Sequence, residues 1–374
     1  MQDTDPAPLH SQAERLAAWM RLQQTPGVGP VAASALIERF KTPQAIFSAA
    51  FEVLLEHVSP AQARALGMAP PPSFQACLEA ALAWMARPGN YILTPDHPHY
   101  PALLRQIADP PIVLYAVGRP ELLGMPCVAI VGSRNATLQG VANAQAFGHA
   151  VSGAGFTVVS GLAMGIDAAA HEGGLRAAGA TVAVIGTGAD RIYPRGNAAL
   201  ARRIGQEGCL LSEYSLGTPP AAVNFPRRNR LISGLSCAVL VVEAAEGSGS
   251  LITARVANEQ GRDVFAIPGS IHSSLSKGCH KLIKAGAKLV ESSADLLDEL
   301  HVSPLARLQP APARAYDGEH LALLNALGHG PVGYDALAAL TEADAGTLAT
   351  QLLSLELAGH LERLPGGLFQ RVNR

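Results

Sequence analysis

The chain has 374 residues, of which 48% are hydrophobic and 16% charged, with a formal net charge of -2. That length accommodates two or three domains and at least one large core. The near-neutral balance excludes a protein that coats nucleic acid over its whole surface, so any such binding has to be local. The five cysteines, Cys77, Cys127, Cys209, Cys237 and Cys279, are widely spaced and form no CxxC pair. They signal neither a zinc site nor a redox site and read as buried, reduced thiols, so no metal or cofactor is expected. The N-terminus is acidic and proline-bearing where a signal peptide would be basic and then apolar, and no stretch approaches the roughly 18 apolar residues of a membrane span. The expectation is a soluble cytoplasmic protein without membrane contact.

From about Ser11 to Arg87 the apolar spacing is helical and predicts a small all-helical domain over residues 1–87. Its legible feature is Thr25-Pro26-Gly27-Val28-Gly29-Pro30 ahead of a helix over Val31–Phe40, similar to a helix-hairpin-helix (SAM-like) element. Such hairpins can hold a phosphate on exposed N–H groups. Residues 1–100 nevertheless hold six Lys/Arg against eight Asp/Glu, which favours a structural role.

Over residues 88–300 short β-rich runs alternate with helical stretches. The predicted strands are Val128–Val131, Thr157–Ser160, Thr181–Ile185, Val239–Glu243 and Val264–Ile267. The predicted helices are Gly140–Ala154, Ile166–Ala178, Asn197–Glu207 and Ser250–Gln260. That βαβα order implies a doubly wound, Rossmann-like parallel sheet covered on both faces. Residues 301–315, with Pro304, Pro310 and Pro312, read as a linker. Three helices and two short strands follow in residues 316–374, the order of a winged helix. Its third helix carries no Lys or Arg, which points to protein contact or packing over reading a DNA groove.

In such a sheet ligands sit at the carboxyl ends of the strands. Glycine-bearing turns fall there: Gly132-Ser133-Arg134, the Gly161 to Gly165 turn, Gly186-Thr187-Gly188 and Gly247-Ser248-Gly249. Together they make a floor of N–H groups suited to anions, with Arg134 adding full charge. Neither the dinucleotide fingerprint nor a phosphate-binding G-x-x-x-x-G-K-[ST] loop is present.

The densest basic segment is Phe225-Pro226-Arg227-Arg228-Asn229-Arg230. Arginines neutralise phosphates and a Phe ring stacks on a base, a combination that suits single-stranded nucleic acid. The same arginines have a second reading as buried ion-pair partners of Glu213, Glu243 or Glu246. Lys277, Lys281 and Lys284 would share one helix face with no intervening acid, as a solvated face or as further phosphate contacts.

The segments Val128-Ala129-Ile130-Val131-Gly132-Ser133-Arg134, Ser160-Gly161-Leu162-Ala163 with Gly165-Ile166-Asp167 and His171, Tyr193-Pro194, Ser212-Glu213-Tyr214, Phe225-Pro226 with Arg228-Asn229-Arg230, Ser248-Gly249-Ser250 and Pro268-Gly269 occur in this order. Their sequence resembles the DNA-processing protein A family, DprA or Smf. The resemblance implies a non-enzymatic, homodimeric protein of natural transformation that binds and protects incoming single-stranded DNA and loads the RecA recombinase. It further implies that Gly132, Ser133 and Arg134 form the phosphate pocket and that Phe225 stacks on a base. Arg227, Arg228, Asn229 and Arg230 would line the DNA path, with Lys277 and Lys281 beyond and the turns at Gly161, Gly165, Gly247 and Gly249 completing the pocket. The dimer contact would lie on the late part of the Rossmann-like domain.

Two other function classes compete. Rossmann-like phosphoribohydrolases, which cleave the base from nucleoside monophosphates, also resemble this domain, but they need a carboxylate early in the helix after Gly247-Ser248-Gly249, and the first one here is Glu259. Asp167 and His171, four apart, are the remaining candidates for an acid–base pair, against a plainer role as a helix-start residue and a packed histidine. The third class is a protein adaptor without DNA binding.

Overall fold

The computed structural model describes residues 7–300, 318–328, 330–341 and 344–372. The expected linker at 301–315 lies outside the described residues. Six helices come first: α1 (Ala7–Gln24), α2 (Pro30–Phe40), α3 (Pro43–Ser48), α4 (Phe51–Leu55), α5 (Pro60–Gly67) and α6 (Ser73–Met85). Local chemistry sets several starts. Thr42 accepts from the Ala45 N–H, and Ser59 and Gln62 close a reciprocal capping box, each with proline in the first helical position.

The chain then builds a nine-stranded sheet among the described residues: β1 (Asn90–Leu93), α7 (Ala102–Arg105), β2 (Leu114–Gly118), β3 (Cys127–Val131), α8 (Leu138–Gly153), β4 (Thr157–Ser160), α9 (Ile166–Gly174), β5 (Thr181–Val184), α10 (Ala198–Glu207), β6 (Cys209–Ser212), α11 (Asn224–Leu235), β7 (Ala238–Val241), α12 (Gly249–Glu259), β8 (Asp263–Ala266), α13 (Lys277–Lys284), β9 (Lys288–Leu289) and α14 (Ser293–Glu299). The strand order is β1-β2-β6-β5-β4-β3-β7-β8-β9. From β6 to β9 every pairing is parallel, while β2 runs against both β1 and β6.

The sheet is therefore not wholly parallel, as the sequence pattern had implied. The two edge strands pack one face against the helical domain, and Ile92 and Tyr115 belong to the same core as Trp19, Leu36 and Trp84. The helical segment and the sheet edge thus share one core. By contrast β3 to β7 are buried on both faces, which is why they read as unbroken apolar runs. Each fully buried Val or Ile there contributes roughly 1.5–3 kcal/mol. Burial also pushes the thiols of Cys127 and Cys209 up to about 12, while Cys77, expected to be buried, lies exposed on α6.

The strand order reverses between β3 and β7, so the crevice outside their carboxyl ends is the topological switch point. Behind this domain come α15 (Gly318–Leu327), β10 (Val332–Gly333), α16 (Tyr334–Thr341), α17 (Ala345–Leu357), β11 (Leu361–Leu364) and β12 (Leu368–Arg371), a winged helix with its own leucine-rich core. Its Glu362 accepts the Leu138 N–H at 3.0 Å, at the first turn of α8.

Candidate nucleic-acid interface

A cleft of about 520 Å³ opens at the switch point. The β3–α8 loop contributes Gly132, Ser133, Arg134 and Asn135, the β7–α12 loop Gly247, Ser248 and Gly249, and the start of α11 Phe225, Arg228 and Asn229. The N–H groups of Ser133, Arg134, Gly247 and Gly249 donate to no protein acceptor among the described residues. Gly249 begins α12, so its N–H points along the positive end of that helix. No atom lies within 4 Å of where a Cβ would stand at Gly247 or Gly249, which leaves their backbone open to a ligand.

Two further glycines shape the floor from beneath. A Cβ on Gly161 would stand 2.7 Å from both the Arg228 guanidinium and the Asp167 carboxylate. Gly165 has φ +75° and packs on the carbonyls of Ser133 and Arg134, while the Ile166 N–H donates to Ser133 O at 3.1 Å. The β4–α9 turn thereby braces the β3–α8 loop. Glu243 fixes the far end of that loop, accepting from the Thr137 N–H at 3.0 Å and its hydroxyl at 2.6 Å. Burial, with Glu362 adding repulsion, raises the Glu243 carboxyl above its ordinary range.

Arg134 is exposed and has no carboxylate partner among the described residues. Its guanidinium lies 5.9 Å from the Phe225 ring centroid, so cation and stacking face stand side by side. Phe225 is half-buried against the Gly186 backbone.

The arginine cluster forms a helix, which the sequence pattern did not reveal; Pro226 is accommodated in its first turn, where no intrahelical N–H bond is required. A rotation of about 100° per residue sends the three guanidinium groups apart. Arg227 is exposed and turns toward a smaller cleft beside Tyr214 and the Val28–Pro30 hairpin. Arg228 is buried beneath the 520 Å³ cleft, donating to Gly161 O at 2.7 Å and to Val184 O and facing Asp167. Burial lowers it to about 10, with Asp167 opposing. Arg230 is directed inward, donating at 2.6 Å to both Asp109 and Glu213. The ion-pair reading of the cluster therefore describes Arg230 and Glu213; Glu243 is engaged elsewhere, and Glu246 faces the cleft between α12 and α13. That cleft, about 620 Å³, is the larger of the two and holds Lys281. Lys277 opens α13, two residues beyond the cleft-lining Leu275.

Asp167 and His171 do not form an acid–base pair. Asp167 accepts from the N–H groups of Gly161 and Ala163 at 3.1 and 3.4 Å, and burial raises its carboxyl. His171 is fully buried and pushed down to about 3 by desolvation. The Thr181 hydroxyl donates to Val158 O, so His171 Nδ1 donates to Thr181 at 2.7 Å, and Nε2 accepts the Leu162 N–H at 3.3 Å. The ring is a neutral structural bridge. Helix α12 carries no carboxylate before its last residue, Glu259.

Asn135, Ser250 and Tyr193 were not singled out by sequence reasoning. Asn135 and Ser250 line the cleft and extend motifs visible in the sequence. Tyr193 stands with its ring 5.4 Å from Phe225, thirty-two positions away in the chain, and only the sheet topology brings the two together.

A switch-point cleft lined by open N–H groups, an unpaired arginine and an aromatic ring, on a doubly wound domain with a winged helix, defines an anion-binding Rossmann-like protein. Residues 91–301 match the family model described as DNA recombination-mediator protein A, and residues 307–367 match the DprA winged helix domain. The chain belongs to the DNA recombination-mediator protein A family, a family of DNA-processing mediators and not of enzymes. Protein Smf of Escherichia coli is 42% identical over 306 residues, covering 79% of this chain and 81% of its own length. The DNA processing protein DprA of Streptococcus pneumoniae is 50% identical over 200 residues, 54% of this chain and 71% of its own. The solved structure of DNA processing protein A from that species superposes with a TM-score of 0.62 at 38% identity, covering 75% of this chain and 97% of that one. The Helicobacter pylori protein, solved to describe its single-stranded DNA binding mode, gives a TM-score of 0.52 at 30% identity, covering 57% and 95%. Among the described residues, no helix is long and apolar enough to cross a membrane.

Proposed function

We propose that this protein binds single-stranded DNA without sequence preference, at the switch-point cleft, and hands it to the RecA recombinase during natural transformation. The observation that carries the reading is the juxtaposition of Arg134, unpaired, with the Phe225 ring above open N–H groups. Phosphates would meet Gly132, Ser133, Arg134, Gly247 and Gly249, and a base would stack on Phe225. Arg227, Asn229 and Lys277 would guide the strand at the rim, and Lys281 would contact it only if the path crosses to the neighbouring cleft. Arg228 would act from below, holding Gly161 and the strand ends that support the loops. Paired bases cannot reach Phe225, so duplex binds more weakly.

The protein would work in the cytoplasm as a homodimer joined through the late part of the Rossmann-like domain. The outer edge of β9 is unpaired among the described residues and Leu289 on it is exposed, features that favour pairing with a second copy. The helical domain at 1–87, the linker at 301–315 and the winged helix at 316–374 complete the proposed division of the chain.

Fluorescence anisotropy of labelled oligo-dT and a matched duplex, at low and moderate salt, tests the reading. Tight, salt-sensitive binding that prefers the single strand is the expected result. Equal affinity for duplex, or no binding to either, would refute it.

A further inference from the structure

The surface beside the cleft carries a second aromatic element. Tyr193, on the segment after β5, is 44% exposed, and its ring centroid lies 5.4 Å from that of Phe225 at an interplanar angle of 39°. That separation is within the range of interacting rings, yet the tilt leaves the outer face of Tyr193 open to solvent. Arg191 and Arg195 flank it in sequence. Both are exposed and neither has a carboxylate partner among the described residues. The nearest acid in the chain, Asp190, is occupied with the Gly217 N–H at 2.8 Å. Met164, 48% exposed on the β4–α9 turn, lies beside Gly196 and adds an apolar, polarizable surface.

We propose that Tyr193 is a second base-stacking platform, and that the strand leaves the Phe225 pocket across Tyr193 with its phosphates toward Arg191 and Arg195. This inference rests on the single-stranded DNA reading of the cleft and extends its footprint. Arg134, Phe225, Met164 and Tyr193 then form one strip along the carboxyl edge of β3, β4 and β5, alternating cation and stacking surface. A strip of this kind grips any base, because every base has a π face, and it takes up the nucleotide next to the one held at Phe225. A tyrosine whose sole task was to prop Phe225 would have no use for the two unpaired arginines around its open face.

Binding of a thymidine trinucleotide and a dodecanucleotide to the wild type, Y193A, Y193F and the R191A/R195A double variant tests this, with melting curves confirming the fold. The short strand fills the Phe225 pocket, while the long one reaches Tyr193. Y193A should lose roughly tenfold in affinity for the long strand and keep the short-strand affinity, with Y193F close to wild type. The double variant should lower the salt slope for the long strand by about two units. A 2-aminopurine placed next to the pocket-bound base should be quenched by the wild type and less by Y193A. Unchanged long-strand binding by Y193A would overturn the proposal, as would equal loss for both strands, which would make Tyr193 a prop for Phe225. If the wild type binds neither strand, the DNA reading itself falls and this inference with it.

Discussion

Arg230 donates through Nη2 to Glu213 at 2.6 Å, and both side chains are more than nine-tenths buried. The second Glu213 oxygen and the Arg230 Nη1 have no partner, so each charge depends on the other. Burial raises the Glu213 carboxyl, and Arg230 is the main group opposing that rise. Removing the guanidinium in Arg230→Ala leaves a buried carboxylate alone, which should cost about 3–5 kcal/mol of stability. A carboxyl whose folded pKa is raised binds protons more tightly in the folded state, so its penalty grows as pH rises through its titration range and shrinks toward acid. Urea unfolding should therefore find Arg230→Ala most destabilised near pH 8 and closer to wild type near pH 5. A deficit independent of pH would mean that Glu213 is not the uncompensated group.

Arg134 and Phe225 should separate the two components of DNA affinity. Arg134→Ala removes one phosphate contact and should lower the salt slope of oligo-dT binding by about one unit, with the melting temperature unchanged because the side chain is exposed and unpaired. Phe225→Ala should weaken binding by about 1–3 kcal/mol with the salt slope intact, because stacking releases no counterions. Anisotropy titrations at several salt concentrations read both quantities. A change in slope for Phe225→Ala, or none for Arg134→Ala, would contradict the assignment.

Legibility in the sequence followed burial and local chemistry. Strands β3, β4, β5, β7 and β8 are short, apolar and followed by glycine turns, and all five were foreseen within one or two residues. The turn at Gly132-Ser133-Arg134 marks the cleft for the same reason. Strands β1 and β2 were invisible because their partners come from the helical domain, through Trp84 against Tyr115 at 5.8 Å, which no local pattern encodes. The arginine cluster shows the other limit. Composition marks it as basic, but only helical rotation distinguishes Arg227, at the surface, from Arg228 and Arg230, inside.

His171 gives the fold a pH dependence of opposite sign to that of Glu213. Its pKa is depressed to about 3 in the folded protein against 6.5 in the unfolded chain, so the unfolded state binds more protons between these values. Its contribution is complete above pH 6.5 and is lost as pH falls toward 3. Going from neutral pH to pH 5 should cost about 2 kcal/mol through this group, at about 1.4 kcal/mol per unit. A His171→Asn variant should start less stable and show a shallower acid slope than wild type in paired unfolding curves at pH 7.5 and 5. Identical slopes would show that His171 does not titrate on unfolding in this window.

Gly165 links backbone conformation to the cleft. At φ +75° and ψ -124° it occupies a region that L side chains rarely adopt, and an added Cβ would collide with the Ser133 and Arg134 carbonyls. Gly165→Ala therefore carries a backbone cost of about 1–3 kcal/mol. It must also displace the β3–α8 loop, because the neighbouring atoms are backbone and cannot rotate away. The loop holds Ser133 and Arg134, so the displacement moves the anion-facing N–H groups while the β3 and β4 core stays packed. The expected outcome is a folded protein with a lower melting temperature and at least tenfold weaker oligo-dT binding at a temperature where it is fully native. Gly247→Ala is the control, since nothing lies within 4 Å of its added methyl in the free protein. It should melt like the wild type and lose affinity only because the methyl narrows the ligand's approach. If Gly165→Ala melted lower but bound oligo-dT as tightly as wild type, the β4–α9 turn would brace the fold without shaping the cleft.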